Sequence, residues 1–189
     1  MNWLVFAILS WVALGLEQGF RPALQVGSVN IAPSFVLILL VFISLWVRAS
    51  SVIPAALILG ACLDMLNKVP TETGESVVIL GPWALGGALG AFLILNLRAM
   101  VFRRNPLTLA VLCFIAAFAA QVVVLAILMF RASYDSVSLQ PAATELTQRL
   151  LTALYTGLVS ILIGPLLQMA APWIGVRKRT HVASVGPYA

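Results

Sequence analysis

The sequence has few charged residues. Of its 189 residues only 9% are charged, 62% are hydrophobic, and the mean hydropathy is +1.07. A soluble domain carries about 25% charged residues, so this chain could not cover its surface with polar groups in water. The composition excludes an ordinary soluble globular domain and predicts an integral membrane protein.

Cysteine and histidine are also scarce. Cys62 and Cys113 lie far apart in apolar runs, and the only histidine is His181 near the end of the chain. There is no CxxC pair and no cysteine–histidine cluster, so neither a disulfide framework nor a metal or other cofactor site is predicted. We expect both cysteines to be packing residues.

The net charge of +5 does not indicate a nucleic-acid partner. The basic residues are dispersed and concentrate at the ends of apolar runs, where they are typical of topology anchors next to the lipid bilayer.

The acidic residues are too few and too scattered for intramembrane catalysis. An aspartyl protease needs two carboxylates that share a proton, but Asp135 lies in a polar segment far from the apolar surroundings of Asp64. An intramembrane serine protease would need a histidine within a span, and His181 lies in the polar tail. We therefore predict that the protein is not an enzyme.

Six apolar runs predict six transmembrane helices. Residues 1–176 should form a compact all-α bundle, followed by a short basic cytoplasmic tail over residues 177–189. The segment 131–149 should contain a helix that starts near Pro141. The predicted spans are Trp3–Leu16 with an extension to Phe20, Ile31–Val47, Val52–Leu66, Val77–Leu95 with a kink at Pro82, Leu107–Phe130, and Leu150–Gly175 with breaks at Pro165 and Pro172.

Six spans would place both termini on one side of the membrane, and the basic residues favour the cytoplasm for that side. Seven basic residues fall on the side of the termini and four on the other. The seven are Arg48, Arg98, Arg103, Arg104, Arg177, Lys178 and Arg179, and the four are Arg21, Lys68, Arg131 and Arg149.

The third apolar run carries a carboxylate inside its own length. Ala56, Gly60 and Asp64 recur every fourth residue, so on a helix they share one face. A carboxylate within the hydrocarbon region is costly unless it has a partner, so we expect Asp64 to be buried against a neighbouring helix. The alternative is an interfacial Asp64 at the end of a span that stops at Leu63.

A second small-residue motif, Gly86-xxx-Gly90, lies in the fourth span and is of the type that permits close helix approach. We predict that it packs against the small face of the third span. A contact within the bundle and a contact with another protein both remain open. Gln121 and Gln168 are expected to form interhelical hydrogen bonds rather than to bind a ligand.

The order of these features resembles the MreD family, the small integral membrane subunit of the bacterial rod-shape (elongation) machinery. The resemblance covers residues 15–106, and beyond them only the hydropathy is similar. It departs from the family pattern at Ser34, where the family usually has an acid, and in a longer loop that lacks a histidine. The matching residues are Pro33, Gly60, Asp64, Pro70, Gly74, Gly86 and Gly90.

The resemblance implies a non-enzymatic scaffold of cell elongation and peptidoglycan synthesis in the bacterial inner membrane. Such a scaffold binds MreC and couples it to transpeptidase and glycosyltransferase synthases and to MreB. Ala56, Gly60, Asp64, Gly86 and Gly90 are then the candidate residues for bundle integrity and partner docking.

The resemblance also implies a fold similar to the substrate-binding subunits of energy-coupling vitamin transporters. A subunit that binds a small molecule is therefore the alternative function. Such a pocket needs several convergent polar groups, and the deep polar residues evident from the sequence are few: Asp64, Asn67, Gln121 and Gln168.

Overall fold

The computed structural model describes residues 2–26, 31–70, 76–100, 105–134 and 141–170. Within these ranges the chain forms six helices and one two-stranded hairpin. In chain order they are α1 (Trp3–Leu24), α2 (Phe35–Trp46), α3 (Ala49–Leu66), β1 (Lys68–Pro70), β2 (Ser76–Val78), α4 (Pro82–Leu97), α5 (Pro106–Ala132) and α6 (Ala142–Ala170).

Four of the described helices, α1, α3, α5 and α6, are long and apolar enough to cross a membrane. The other two are apolar but shorter, with 12 residues in α2 and 16 in α4. At the helical rise they extend about 18 and 24 Å, less than the roughly 30 Å of a hydrocarbon core. The chain thus has the architecture of a multi-pass membrane protein. Two of its helices are too short to span the hydrocarbon core when they stand upright in the membrane.

The central element of the bundle is α2. Every residue from Val36 to Leu45 is buried, and α2 packs against each of the other five described helices. A helix that is hydrophobic on all sides is stable only when it is enclosed. By contrast, α1 is peripheral and leaves large apolar side chains exposed, with Trp11 at 80% exposure, as expected for a surface that faces lipid.

The predicted fourth span begins later than expected. Ser76–Val78 pairs with Lys68–Pro70 as an antiparallel hairpin, and the helix starts only at Pro82. Proline suits the first helical position, because an N–H there would have no partner within the helix. The preceding Gly81 has a φ of 123°, a conformation that favours glycine. The predicted kink at Pro82 is therefore wrong, because this residue begins the helix.

The sixth helix corrects two predictions. The helix predicted near Pro141 and the span predicted from Leu150 form one helix, which begins at Ala142 and continues without a break through Pro165. A proline inside a membrane helix is tolerated when neighbouring groups satisfy the freed backbone. The predicted basic tail over residues 177–189 lies outside the described residues, as do the predicted break at Pro172 and both Arg103 and Arg104.

The close contact between α3 and α4 is confirmed and is made at Gly60. A Cβ at this position would collide with the backbone of Trp83 and Ala84. From the α4 side, Gly87 faces α3, since a Cβ at Gly87 would lie 3.5 Å from the carbonyl oxygen of Ala56. The two helices therefore approach almost backbone to backbone.

The Gly86-xxx-Gly90 motif does not take part in this contact, and its predicted packing against α3 is wrong. A Cβ at Gly86 would lie 2.6 Å from the carbonyl oxygen of Ala120, and one at Gly90 would lie 3.0 Å from that of Ala116. Both glycines face α5. The next residue, Gly87, is turned about 100° around the helix axis and so faces α3 instead.

The C-terminus of α2 is held by a side chain from α4. The Arg98 guanidinium donates from Nη1 to the carbonyl oxygens of Ser44 at 3.2 Å and Val47 at 2.7 Å. The last carbonyls of a helix have no intrahelical donor, and a cation there also complements the helix macrodipole.

The glycine contact predicts a contrast between two alanine substitutions. Gly60→Ala should lower the free energy of unfolding by about 1–3 kcal/mol, because its methyl group overlaps the α4 backbone. Gly15→Ala is the matched control, since nothing lies within 4 Å of its added Cβ, and it should be neutral or stabilising by up to about 1 kcal/mol. Thermal unfolding in a mild detergent measures both. Equal melting temperatures would contradict the close α3–α4 contact.

The Arg98 contact predicts that Arg98→Met destabilises the bundle by about 1–3 kcal/mol, because two α2 carbonyls lose a charged donor. Arg48→Met removes an exposed cation and should change stability by less than about 0.5 kcal/mol. Unfolding curves of the two purified variants provide the comparison. A similar loss of stability in both variants would show that the positive charge itself, rather than the contact of Arg98 with α2, stabilises the protein.

Candidate functional site: capped helix ends around a polar cavity

Asp64 caps the N-terminus of α4. Its side chain is buried, with 1% of its surface exposed. Oδ2 accepts from the Gly81 N–H at 2.8 Å and the Ala84 N–H at 3.2 Å, and Oδ1 accepts from the Trp83 N–H at 2.9 Å. A carboxylate at this position satisfies donors that the first turn leaves open and complements the helix dipole. The predicted burial of Asp64 against a neighbouring helix is confirmed, and α3 continues past Leu63 to Leu66 instead of ending there.

A second carboxylate, Glu17 of α1, has the same role at the N-terminus of α2. Its Oε2 accepts from the Phe35 N–H at 2.7 Å, the Val36 N–H at 3.2 Å and the Ser34 hydroxyl at 3.2 Å. The Ser34 N–H in turn donates to Thr156 Oγ1 of α6 at 3.1 Å. The MreD family usually has an acid at the position of Ser34, and here Glu17 brings a carboxylate to that helix terminus.

The two capped N-termini lie at the same end of the bundle, because α2 and α4 both follow helices that run towards it. We refer to it as the cavity end. A cavity of about 570 Å³ lies there. It is lined by Glu17, Arg21, Ala32, Ser34, Leu63, Asp64, Asn67, Lys68, Val69, Pro70, Ile79, Pro82, Trp83, Gln121, Val124, Leu128, Glu145, Gln148, Arg149 and Thr152.

Several of the polar side chains in the cavity wall bind one another. Glu145 Oε2 and Arg149 Nε form an ion pair at 3.3 Å on α6. Across the cavity, Arg21 Nη1 of α1 donates to Asn67 Oδ1 at 3.0 Å. This hydrogen bond links α1 to the residue that follows α3, although the two are far apart in the sequence.

Gln121 of α5 lies in the cavity wall and is 3% exposed. Its Nε2 has no hydrogen-bond partner among the described residues. The predicted interhelical hydrogen bond is therefore missing at this nitrogen. An unpaired buried amide donor costs about 1–3 kcal/mol, and an acceptor in the cavity would remove this cost.

The five residues selected from the sequence do not form one surface. Asp64 alone lines the cavity. The others, Ala56, Gly60, Gly86 and Gly90, are buried in the α3–α4 and α4–α5 contacts. Their positions support bundle integrity, and any effect on a partner must be transmitted through the fold.

No protein-family model matches the chain. No curated protein and no solved structure matches it either. The likeness to the MreD family is thus carried by the residues quoted above.

The two carboxylate caps predict different responses to the same chemical change. Asp64 uses both oxygens, so Asp64→Asn turns an NH₂ group towards a backbone N–H and should cost about 1–3 kcal/mol. Within the described part of the chain the bonds to Glu17 converge on Oε2, so the amide oxygen of Glu17→Gln can replace it at a cost of about 1 kcal/mol or less. Thermal unfolding ranks the variants. The opposite order would contradict the cap geometry.

Proposed function

We propose that the protein is a non-enzymatic scaffold of the bacterial cell-elongation machinery that binds MreC in the inner membrane. The observation that carries the proposal is the use made of the charged side chains inside the bundle. Asp64 and Glu17 bind helix N-termini and Arg98 binds a helix C-terminus. A general acid or base must reach a substrate proton, whereas these groups are engaged with the backbone.

The residues that carry the resemblance to the MreD family support the same proposal, because four of them begin, join or cap helices of the bundle. Pro33 precedes the capped start of α2, Gly60 brings α3 against α4, and Asp64 caps α4. Gly86 then joins α4 to α5. Residues that fix the helix packing are those that we expect to be shared among scaffold proteins with the same fold.

On this proposal both termini are cytoplasmic and the cavity end faces the periplasm. The β1–β2 hairpin lies next to that end and exposes Val77 and Val78 at 43% and 41%. A strand at the edge of a sheet can bind an extended segment of a partner. We therefore expect MreC to contact the hairpin, and the synthases and MreB to join through that complex.

A photo-crosslinking amino acid at Val78 tests this proposal in cells that co-express MreC. The MreC adduct should be at least tenfold stronger than from Leu162, a matched exposed position on α6 at 75% exposure. Immunoblotting of the crosslinked membranes measures both. The proposal fails if Val78 yields no MreC adduct while the purified variant keeps the wild-type melting temperature.

The second candidate is a substrate-binding subunit of a vitamin-type transporter, and the cavity favours it. The structure brings more polar groups together than the sequence suggested, including Arg21, Glu145 and Arg149. Such a subunit must also dock on an energising partner. Crosslinking from Trp11 on the exposed face of α1 separates the candidates, since capture of an energising subunit there would favour the transporter.

A further inference from the structure

We propose that the cavity is a binding site for an amphipathic organic anion. The acidic group of this ligand would be bound by Arg21, Arg149 and Gln121. Its apolar part would pack on the wall that contains Trp83 and Leu128. Such a site goes beyond the scaffold function, and for the second candidate function it defines the chemical class of the substrate.

The dimensions and position of the cavity suit a small ligand. Its volume of about 570 Å³ lies within the range of roughly 300–1,000 Å³ that is usual for small-molecule sites. It extends from the buried Asp64 to Lys68, which is exposed. A ligand can therefore enter at the surface and still reach polar groups inside the bundle.

Gln121 supplies an independent indication of a ligand. It is buried, it lines the cavity, and its Nε2 lacks a partner among the described residues. The terminal amide of a glutamine rotates in a broad, two-fold manner, so its N–H donors can turn towards an acceptor in the cavity. A bound carboxylate or phosphate oxygen would satisfy the donor that the protein leaves unpaired.

The charges in the wall favour an anion. Three acids line the cavity, but Asp64 and Glu17 are bound to helix N-termini and Glu145 pairs with Arg149. Among the described residues, Arg21 and Arg149 each donate a hydrogen bond from one nitrogen, and a guanidinium has five N–H donors. The remaining guanidinium donors of Arg21 and Arg149, together with Gln121 Nε2, can therefore bind an acidic group in the cavity.

Another part of the wall is apolar, which makes the expected ligand amphipathic. Ile79, Val124 and Leu128 form one buried cluster, and Trp83 packs against it. An alkyl or ring portion placed there would be removed from water, which favours binding. The shared chemistry fits a free amphipathic anion and the acidic head group of a lipid.

Octyl phosphate is the probe for the test, with octanol as the neutral match and inorganic phosphate as the head group alone. Octyl phosphate should raise the melting temperature of the wild-type protein in detergent more than either of them. Gln121→Leu should raise the melting temperature without ligand, because it removes the unpaired donor, and weaken octyl phosphate binding at least tenfold. A glutamine with a purely structural role would lower that temperature when replaced.

Two further variants give the result its specificity. Gln168→Leu makes the same change on α6 outside the cavity wall and should keep the wild-type response, whereas Arg149→Gln should weaken binding. In nanodiscs, a Gln121-dependent rise with phosphatidylglycerol but not phosphatidylcholine identifies a lipid head group, and a response to octyl phosphate in phosphatidylcholine identifies a free anion. The proposal is overturned if no anion stabilises the wild type, or if Gln121→Leu and Arg149→Gln respond as the wild type does.

Discussion

The structure depends on satisfying the backbone groups at the ends of its two short helices. Lipid offers no hydrogen-bond partners, so the N–H and C=O groups at buried helix ends of a membrane protein must be bound by protein. Glu17 and Asp64 meet this need at the N-termini of α2 and α4, and Arg98 meets it at the C-terminus of α2. Each charge has the sign that the helix dipole favours, so neighbouring helices stabilise the two short ones through ionic groups.

The small residues explain how a carboxylate on one helix reaches the amides of another. Gly60 lies one turn before Asp64 on the same face of α3, and it packs on the backbone of Trp83 and Ala84. These two residues also donate to Asp64. The spacing of four residues thus joins a close contact to a polar one, and a larger side chain at Gly60 would move the carboxylate away from its donors.

Much of the framework was predictable from local sequence. Composition defines the membrane class, and the four-residue spacing ending at Asp64 predicts burial on a close neighbour. The role of Glu17 was not predictable, because an acid at the end of an apolar run suits the lipid interface equally well. Val77 and Val78 read as the start of a helix, although they form a strand. The cavity escaped prediction because its wall combines residues from distant parts of the chain.

The position of Glu17 on α1 gives this peripheral helix a mechanical link to the bundle centre. α1 packs mainly on α2 and carries both Glu17, which caps that helix, and Arg21, which lines the cavity. An axial slide of α1 by a single residue, about 1.5 Å, would break the cap and open one side of the cavity together. A partner that binds the outer face of α1 and shifts this helix would therefore change the cap of α2 and the shape of the cavity at the same time.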